Sequence, residues 1–170
     1  MKRIVLTNEL MAAIEDAAFD WELSEDGRRL DVGPDLWQLH DRWILNDDGS
    51  LDQYKKRERS AGYDYWSWFA SWEYGYRWLL WDVLSSGKSY RVPAIFTRFD
   101  GPDKRFSFAD VTVHGRERVQ MSVGGVAVAR MKYYEVDFAS HVLLASIPDL
   151  VESLTATTGE PLFGLRDDRG

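Results

Sequence analysis

Apolar residues recur at helical spacing near the beginning of the chain. Within residues 6–23 they form one stripe, made of Leu6, Leu10, Ile14, Ala17, Ala18 and Trp21. Thr7 or Asn8 can cap such a helix, and Glu9 favours its first turn. The pattern therefore predicts an amphipathic helix over residues 6–23, which ends at the polar run 24–27.

Two weaker patterns follow, separated by a polar run. Residues 31–45 have apolar positions at mostly helical spacing, whereas residues 51–60 are charged and predict a helical or exposed segment. Residues 46–50 combine Asn, Asp, Gly and Ser, which is typical of a turn. An EF-hand loop needs an oxygen ligand where Ile44 stands relative to Gly49, so we predict a polar turn without calcium.

Residues 63–84 are unusually aromatic and contain five of the eight tryptophans. Placed on a helix at about 100° per residue, the segment has two apolar arcs on opposite sides. The first arc suits a core and comprises Tyr65, Trp68, Phe69, Trp72, Tyr76, Leu79, Leu80 and Val83. The second arc comprises Tyr63, Trp66, Tyr74, Trp78 and Trp81.

A helix that is apolar on two sides must bury both sides, or expose one of them for a reason. A central helix between a sheet and other helices would bury both. Alternatively, the second arc is a recognition surface, because Trp and Tyr offer large area, few rotatable bonds and a polar group. On that hypothesis, Asp64 and Asp82 join the second arc in the binding site and steer a basic partner.

Residues 88–138 change to alternating periodicity, which predicts antiparallel strands. The expected strands are Tyr90–Phe99, Phe106–Val113 with a bulge near Ala109–Asp110, Val119–Val123, and one or two strands within Val126–Phe138. Pro93 favours an edge position or a bulge for the first of them. Gly124–Gly125 between two alternating runs is typical of a two-residue hairpin turn.

The chain is expected to close with a helix over residues 146–158. Ser146 supplies a hydroxyl cap, and Pro148 and Asp149 suit a first turn. Residues 159–170 are expected to form a loosely held tail. We therefore predict one α+β domain over residues 1–170, with a mainly helical N-terminal half (1–87) on an antiparallel β-meander and a C-terminal helix.

Composition narrows the class of protein. The chain has 170 residues and no cysteine, which suits a single domain and excludes disulfides, thiolate metal sites and a cysteine nucleophile. A net charge of −7 disfavours nucleic acid as a partner. Without a signal-like segment or an apolar run of about 20 residues, we expect a soluble, cytoplasmic protein that does not enter a membrane.

Searches for catalytic motifs find none. His40, His114 and His141 are isolated, so no metal is expected, and no sequence resembles a nucleophile elbow or a nucleotide-binding loop. Glu73 lies between Trp72 and Tyr74 and is the best single candidate for an acid in an apolar pocket. We predict no catalytic residue, no metal and no cofactor.

One short segment resembles a known family. Val142–Leu154 is similar to the closing helix of SMI1/KNR4-type (SUKH) domains, where a small residue and a serine lead into an apolar-rich helix. Many members of that superfamily are immunity proteins that neutralise bacterial toxins. The resemblance covers 13 of 170 residues, and we transfer neither the family nor any functional residue from it.

Acidity, surplus Trp and Tyr, and missing catalytic motifs together predict a non-enzymatic protein-binding domain. The hypothesis is an inhibitor or immunity-type protein, of bacterial or phage origin, that blocks a partner protein. A second copy of the chain is another candidate partner. The alternatives are a module that binds a sugar or a small cation on Trp and Tyr walls, and an enzyme with a dispersed site.

Overall fold

The computed structural model describes residues 2–58, 60–89, 101–156 and 159–163. Its centre is one antiparallel sheet of eight strands in the order β1-β2-β3-β4-β5-β8-β7-β6. The strands are β1 (Asp20–Leu23), β2 (Arg29–Asp35), β3 (Leu39–Leu45), β4 (Leu51–Lys56), β5 (Tyr63–Phe69), β6 (Phe106–Val113), β7 (Arg116–Val123) and β8 (Val126–Met131). Five strands come from the first 69 residues, so the predicted helical N-terminal half is wrong.

In the described ranges, four α-helices accompany the sheet: α1 (Asn8–Ala17), α2 (Trp72–Leu84), α3 (Val136–Val142) and α4 (Ile147–Thr155). The backbone N–H of Leu10 donates to the Thr7 hydroxyl, which confirms the predicted cap of α1. The predicted extent to residue 23 is wrong, because Ala18 ends the helix with a positive φ of 53° and Asp20–Leu23 pairs with β2 as a strand. Ser146 caps α4 in the same way, through the N–H of Asp149. None of the helices in the described ranges is long and apolar enough to cross a membrane.

The strand register separates two faces of the sheet. On the covered face, buried side chains pack with the helices into one core, and they include Leu30, Trp43, Leu45, Leu51, Phe69, Met121, Ala129 and Met131. The intervening residues point to the other side. We call that side the open face; its central side chains are Arg42, Ile44, Asp52, Tyr54, Tyr63, Tyr65, Trp68, Gln120 and Arg130.

Residues 31–45 form most of a β-hairpin instead of the expected helix. The apolar positions in this stretch also fit a period of two, since Trp43 and Leu45 are buried and Arg42 and Ile44 point away. Pairing with β2 and β4 selects the strand because it satisfies the backbone of both edges. The predicted turn at 46–50 is confirmed, and Gly49 supplies its positive φ of 90°.

The aromatic segment is not one helix. Tyr63–Phe69 is a strand, and the helix begins only at Trp72. The predicted pair of apolar arcs on one continuous helix is therefore wrong. Gly75 explains part of this placement, because a Cβ there would collide with the side chain of Leu51 on β4. The helix therefore crosses close above the sheet, and its buried side chains belong to the core.

The later strands follow the prediction more closely. Antiparallel pairing of β6, β7 and β8 and the turn at Gly124–Gly125 are confirmed. The bulge is not near Ala109–Asp110, since β6 pairs with β7 without interruption; it lies between β7 and β8 at Met121–Ser122. β8 ends at Met131, where a 3-10 turn (Tyr133–Glu135) begins the path into α3, so the expected strand through Phe138 is wrong.

Two further predictions are the strand Tyr90–Phe99 and the loosely held tail 159–170. The predicted strand Tyr90–Phe99 lies outside the described residues, as do residues 157–158 and 164–170. Within the expected tail, Phe163 is buried and stacks on Phe138, with ring centroids 5.4 Å apart. The N–H of Leu162 also donates to the hydroxyl of Ser153, so residues 159–163 are attached to the core.

Candidate functional site

The open face carries aromatic and arginine side chains at its centre. Trp68 lies between Asp52 on β4 and Arg130 on β8, and Tyr54 lies between Arg42 on β3 and Tyr65 on β5. With Gln120 on β7, five adjacent strands (β3, β4, β5, β8 and β7) contribute to one surface. Arg42, Tyr54, Tyr65 and Trp68 are half-buried.

Cations cover the aromatic rings of the open face. The Arg130 guanidinium lies 4.6 Å from the centroid of Trp68, and the Arg42 guanidinium lies 4.1 Å from that of Tyr63. Tyr65 meets Tyr54 edge-on at 5.6 Å. Each contact restricts a side chain that would otherwise lose rotamer freedom on binding, so the surface is preorganised.

A buried ion pair anchors one side of the open face. Asp31 accepts two hydrogen bonds from Arg42, at 2.7 and 2.9 Å, and is 4% exposed. His40 Nε2 lies 2.8 Å from the Tyr63 hydroxyl, and burial lowers the pKa of His40, which favours the neutral ring. This network holds Arg42 and Tyr63 in place.

On the covered face, a separate polar cluster joins the sheet to α2. The Lys55 ammonium lies 3.2 Å from the Asp41 carboxylate and 3.9 Å from that of Asp82. Burial, and then repulsion from Asp82, raises the pKa of Asp41 to about 7. Burial opposes the charge of Lys55, but Asp82 and Asp41 outweigh it and raise its pKa. Gln53 also donates to Asp41.

The buried side chain of Trp66 contacts several charged side chains. Its indole N–H donates to Glu135, and the Lys132 ammonium lies 3.0 Å from its ring centroid. Burial raises the pKa of Glu135 and lowers that of Lys132. Trp66 is 8% exposed, so its ring serves contacts within the chain.

The residues predicted from the second arc are dispersed. Tyr63 and Asp64 lie at the beginning of β5, and Asp64 forms an ion pair with Arg116 at 3.6 Å. Trp78 is 2% exposed on α2, where it packs against Trp81 at 4.4 Å. Tyr74, Trp81 and Asp82 are half-buried on α2. A role of the whole set in partner binding stays a prediction.

The strand ends nearest to Tyr63 display the most exposed aromatic residues. Trp37, at the turn between β2 and β3, is 86% exposed, and Asp35 fixes this turn by accepting from the N–H of Trp37 at 2.7 Å. Tyr133 and Tyr134 follow β8 and are 85% and 69% exposed. An exposed Trp on a restrained turn is a typical anchor for a partner.

Arg118 completes the sheet where β8 is too short. β8 pairs with β5 only at Trp68 and Phe69, and Arg118 donates to the carbonyls of Trp66 and Tyr65 at 2.9 and 2.7 Å. Its guanidinium therefore supplies the hydrogen-bond donors that a neighbouring strand would otherwise provide to β5. Local sequence could not identify this role, since the acceptors lie more than 50 residues away.

Sequence patterns missed most of the open face. Trp68 and Tyr65 were assigned to a helical core arc, and Arg42, Tyr54 and Arg130 were not singled out. The period of two through residues 42–45 and 52–54 is the pattern that could have identified them.

The predicted absence of catalytic and metal groups stays a prediction. Glu73 is exposed on the first turn of α2. His114 lies in the β6–β7 turn against Tyr65, and His141 on α3 is 3.2 Å from the carbonyl of Gly101. In the part of the chain that the structure describes, no three His, Asp or Glu side chains come together as a metal site.

Comparison with known proteins identifies a solved structure with a similar fold. No protein-family model and no curated protein sequence matches the chain. The solved structure of Rv3902c from M. tuberculosis is similar, with a TM-score of 0.80 and 21% sequence identity. The match covers 99% of this chain and 100% of that one, so the two share an architecture from end to end. At this identity the likeness concerns the fold alone.

Proposed function

We propose that this protein is a non-enzymatic binding protein of the inhibitor or immunity type, which blocks a partner protein with the open face of its sheet. The observation that carries the proposal is the composition of that face. Tyr54, Tyr65 and Trp68 lie beside Arg42 and Arg130, and Trp, Tyr and Arg are the residues that dominate binding hot spots.

Rigidity supports a blocking role. The face is built on five hydrogen-bonded strands, and its rings are held by arginines and by the Asp31–Arg42 ion pair. A surface that is ordered before binding loses little conformational entropy when a partner docks. The net charge of −7 favours a basic partner at long range.

A sugar-binding or cation-binding module is less well supported. On the open face, such a site needs a free aromatic ring on which a ligand can stack. The rings of Trp68 and Tyr63 are already covered by the guanidinium groups of Arg130 and Arg42, which a ligand would have to displace. A flat protein surface can instead contact the arginines and the ring edges together.

The test begins with the cells that produce the protein. We would immobilise the wild-type chain, Trp68→Ala and a matched control, Val126→Ala, which changes an exposed apolar side chain in the β7–β8 hairpin. The expected result is a partner retained by the wild type and by the control but lost by Trp68→Ala, with about 2 kcal/mol or more of binding energy removed.

The second stage tests inhibition. The purified partner is titrated with the protein, and its own activity should fall to a minimum at a fixed molar ratio. Binding without any loss of partner activity would reject the blocking role. A partner retained equally by Trp68→Ala, Tyr65→Ala and the wild type would reject the open face, and sedimentation velocity would reveal a second copy as the partner.

A further inference from the structure

A groove runs along the β6–β7 hairpin, beyond the end of β8. It consists of two adjoining clefts of about 580 and 630 Å³, which share Asp110, Val119 and Tyr133 in their walls. β8 stops at Met131 and the chain turns away at Tyr133, so among the described residues no strand lies beside this part of β7.

The groove combines apolar walls with carboxylates. Val111 and Tyr134 line its first cleft, and Phe108 and Val136 line its second. Phe108 is 39% exposed, and Tyr133 and Tyr134 are far more exposed. Such a mixture is typical of sites that take up a short segment of another protein.

Three exposed acids are distributed along the groove. Glu117 lies in the first cleft, Asp137 in the second, and Asp110 in both. Within the described ranges, none of the three carboxylates forms an ion pair. Their charges are therefore available to a basic ligand.

The two basic residues in the wall are already engaged. Lys132 places its ammonium on the ring of Trp66, and Arg118 donates to the carbonyls of residues 65 and 66 and of Glu117. Their contacts orient both cations toward neutral groups without cancelling their charge, so the three carboxylates exceed the two cations of the lining by one negative charge.

From this complementarity we propose that the groove binds an extended, basic segment of a partner protein, with Lys or Arg on the acids and apolar side chains against Tyr133 and Val119. The lining of this groove includes none of Tyr54, Tyr65 and Trp68, so it is a second contact surface with its own test.

The probe is a capped hexapeptide of alternating lysine and leucine, compared with the same peptide carrying glutamate in place of lysine. Titration of the isotope-labelled protein should shift the backbone amides of Asp110, Tyr133 and Asp137 with the basic peptide. The double variant Asp110→Asn/Glu117→Gln should weaken that peptide about tenfold, since each exposed ion pair contributes modestly.

A matched control removes two exposed acids elsewhere, in Glu15→Gln/Glu25→Gln, and should bind the basic peptide as the wild type does. Tyr133→Ala should weaken binding without changing the melting temperature. The proposal is overturned if the acidic peptide binds equally well, if no groove amide shifts, or if the control loses as much affinity as the groove variant. Loss of peptide binding only in Trp68→Ala would also overturn it, whereas failure of the open-face test alone would leave this result unaffected.

Discussion

The two faces of the sheet use the same kinds of side chain for opposite purposes. Phe69 and Trp68 are neighbours on β5, yet Phe69 is fully buried against Trp43 while Trp68 lies on the open face beneath Arg130. On the covered face these rings are enclosed by the apolar core and the helices, whereas on the open face Trp68 and Tyr63 lie under arginines. Strand alternation, not residue type, therefore assigns an aromatic residue to the core or to the surface.

The largest difference in stability is expected when Phe69 and Trp68 are each replaced by alanine. Phe69→Ala should lower the free energy of unfolding by about 3–5 kcal/mol, because it leaves a cavity in the core. Trp68→Ala should cost only about 1 kcal/mol. Urea unfolding followed by far-ultraviolet circular dichroism measures both, and equal losses would show that the open face is as tightly packed as the covered face.

The polar cluster of the covered face predicts a pH dependence. Asp41 has a pKa raised to about 7, so the folded chain holds a proton that the unfolded chain releases near pH 4. Its favourable contribution is complete below pH 4 and is lost as the pH rises through 7. Relative to Asp41→Asn, the wild type should lose on the order of 2–4 kcal/mol between pH 4 and pH 8.

Asp82→Asn sharpens that prediction. Repulsion from Asp82 is the second cause of the raised pKa of Asp41, so its removal should move the pH window downward without abolishing it. Asp52 and Glu135, whose pKa values burial also raises, are present in every variant and cancel in the difference. Parallel stability curves for the wild type and Asp41→Asn would contradict the assignment.

A third test separates a buried arginine from an exposed one. Arg118→Met keeps the aliphatic stem but leaves the carbonyls of Tyr65 and Trp66 without their donor, which should cost about 2–3 kcal/mol. Arg116→Met breaks only an exposed pair with Asp64 and should cost less than about 1 kcal/mol. Thermal melting of the two variants under identical conditions distinguishes these roles.

The smallest expected effect concerns Trp37. It is 86% exposed, so Trp37→Ala should change the free energy of unfolding by no more than about 0.5 kcal/mol. Acrylamide quenching of tryptophan fluorescence should decrease in the variant because the most accessible indole is gone. A marked loss of stability would mean that the Trp37 side chain packs against the protein instead of being exposed to solvent.

The amphipathic helix near the N-terminus, the hairpins after Phe106 and the start of α4 follow from sequence. Each has a local cause that is independent of the rest of the chain: Thr7 and Ser146 cap helices, and Gly124–Gly125 closes a hairpin. The absence of cysteine and the acidic charge also belong to the sequence, and they fix which chemistries a site can use.

Only the tertiary structure decided how the first 69 residues fold and where a partner surface lies. Residues 31–45 and 63–69 contain apolar positions that fit both a helix and a strand, and pairing between distant segments chose the strand. The same pairing placed Trp68 on the open face, although a helical segment assigned it to the core arc. Because alternation depends on which strands lie side by side, the open face and the role of Arg118 arise from contacts that no local pattern contains.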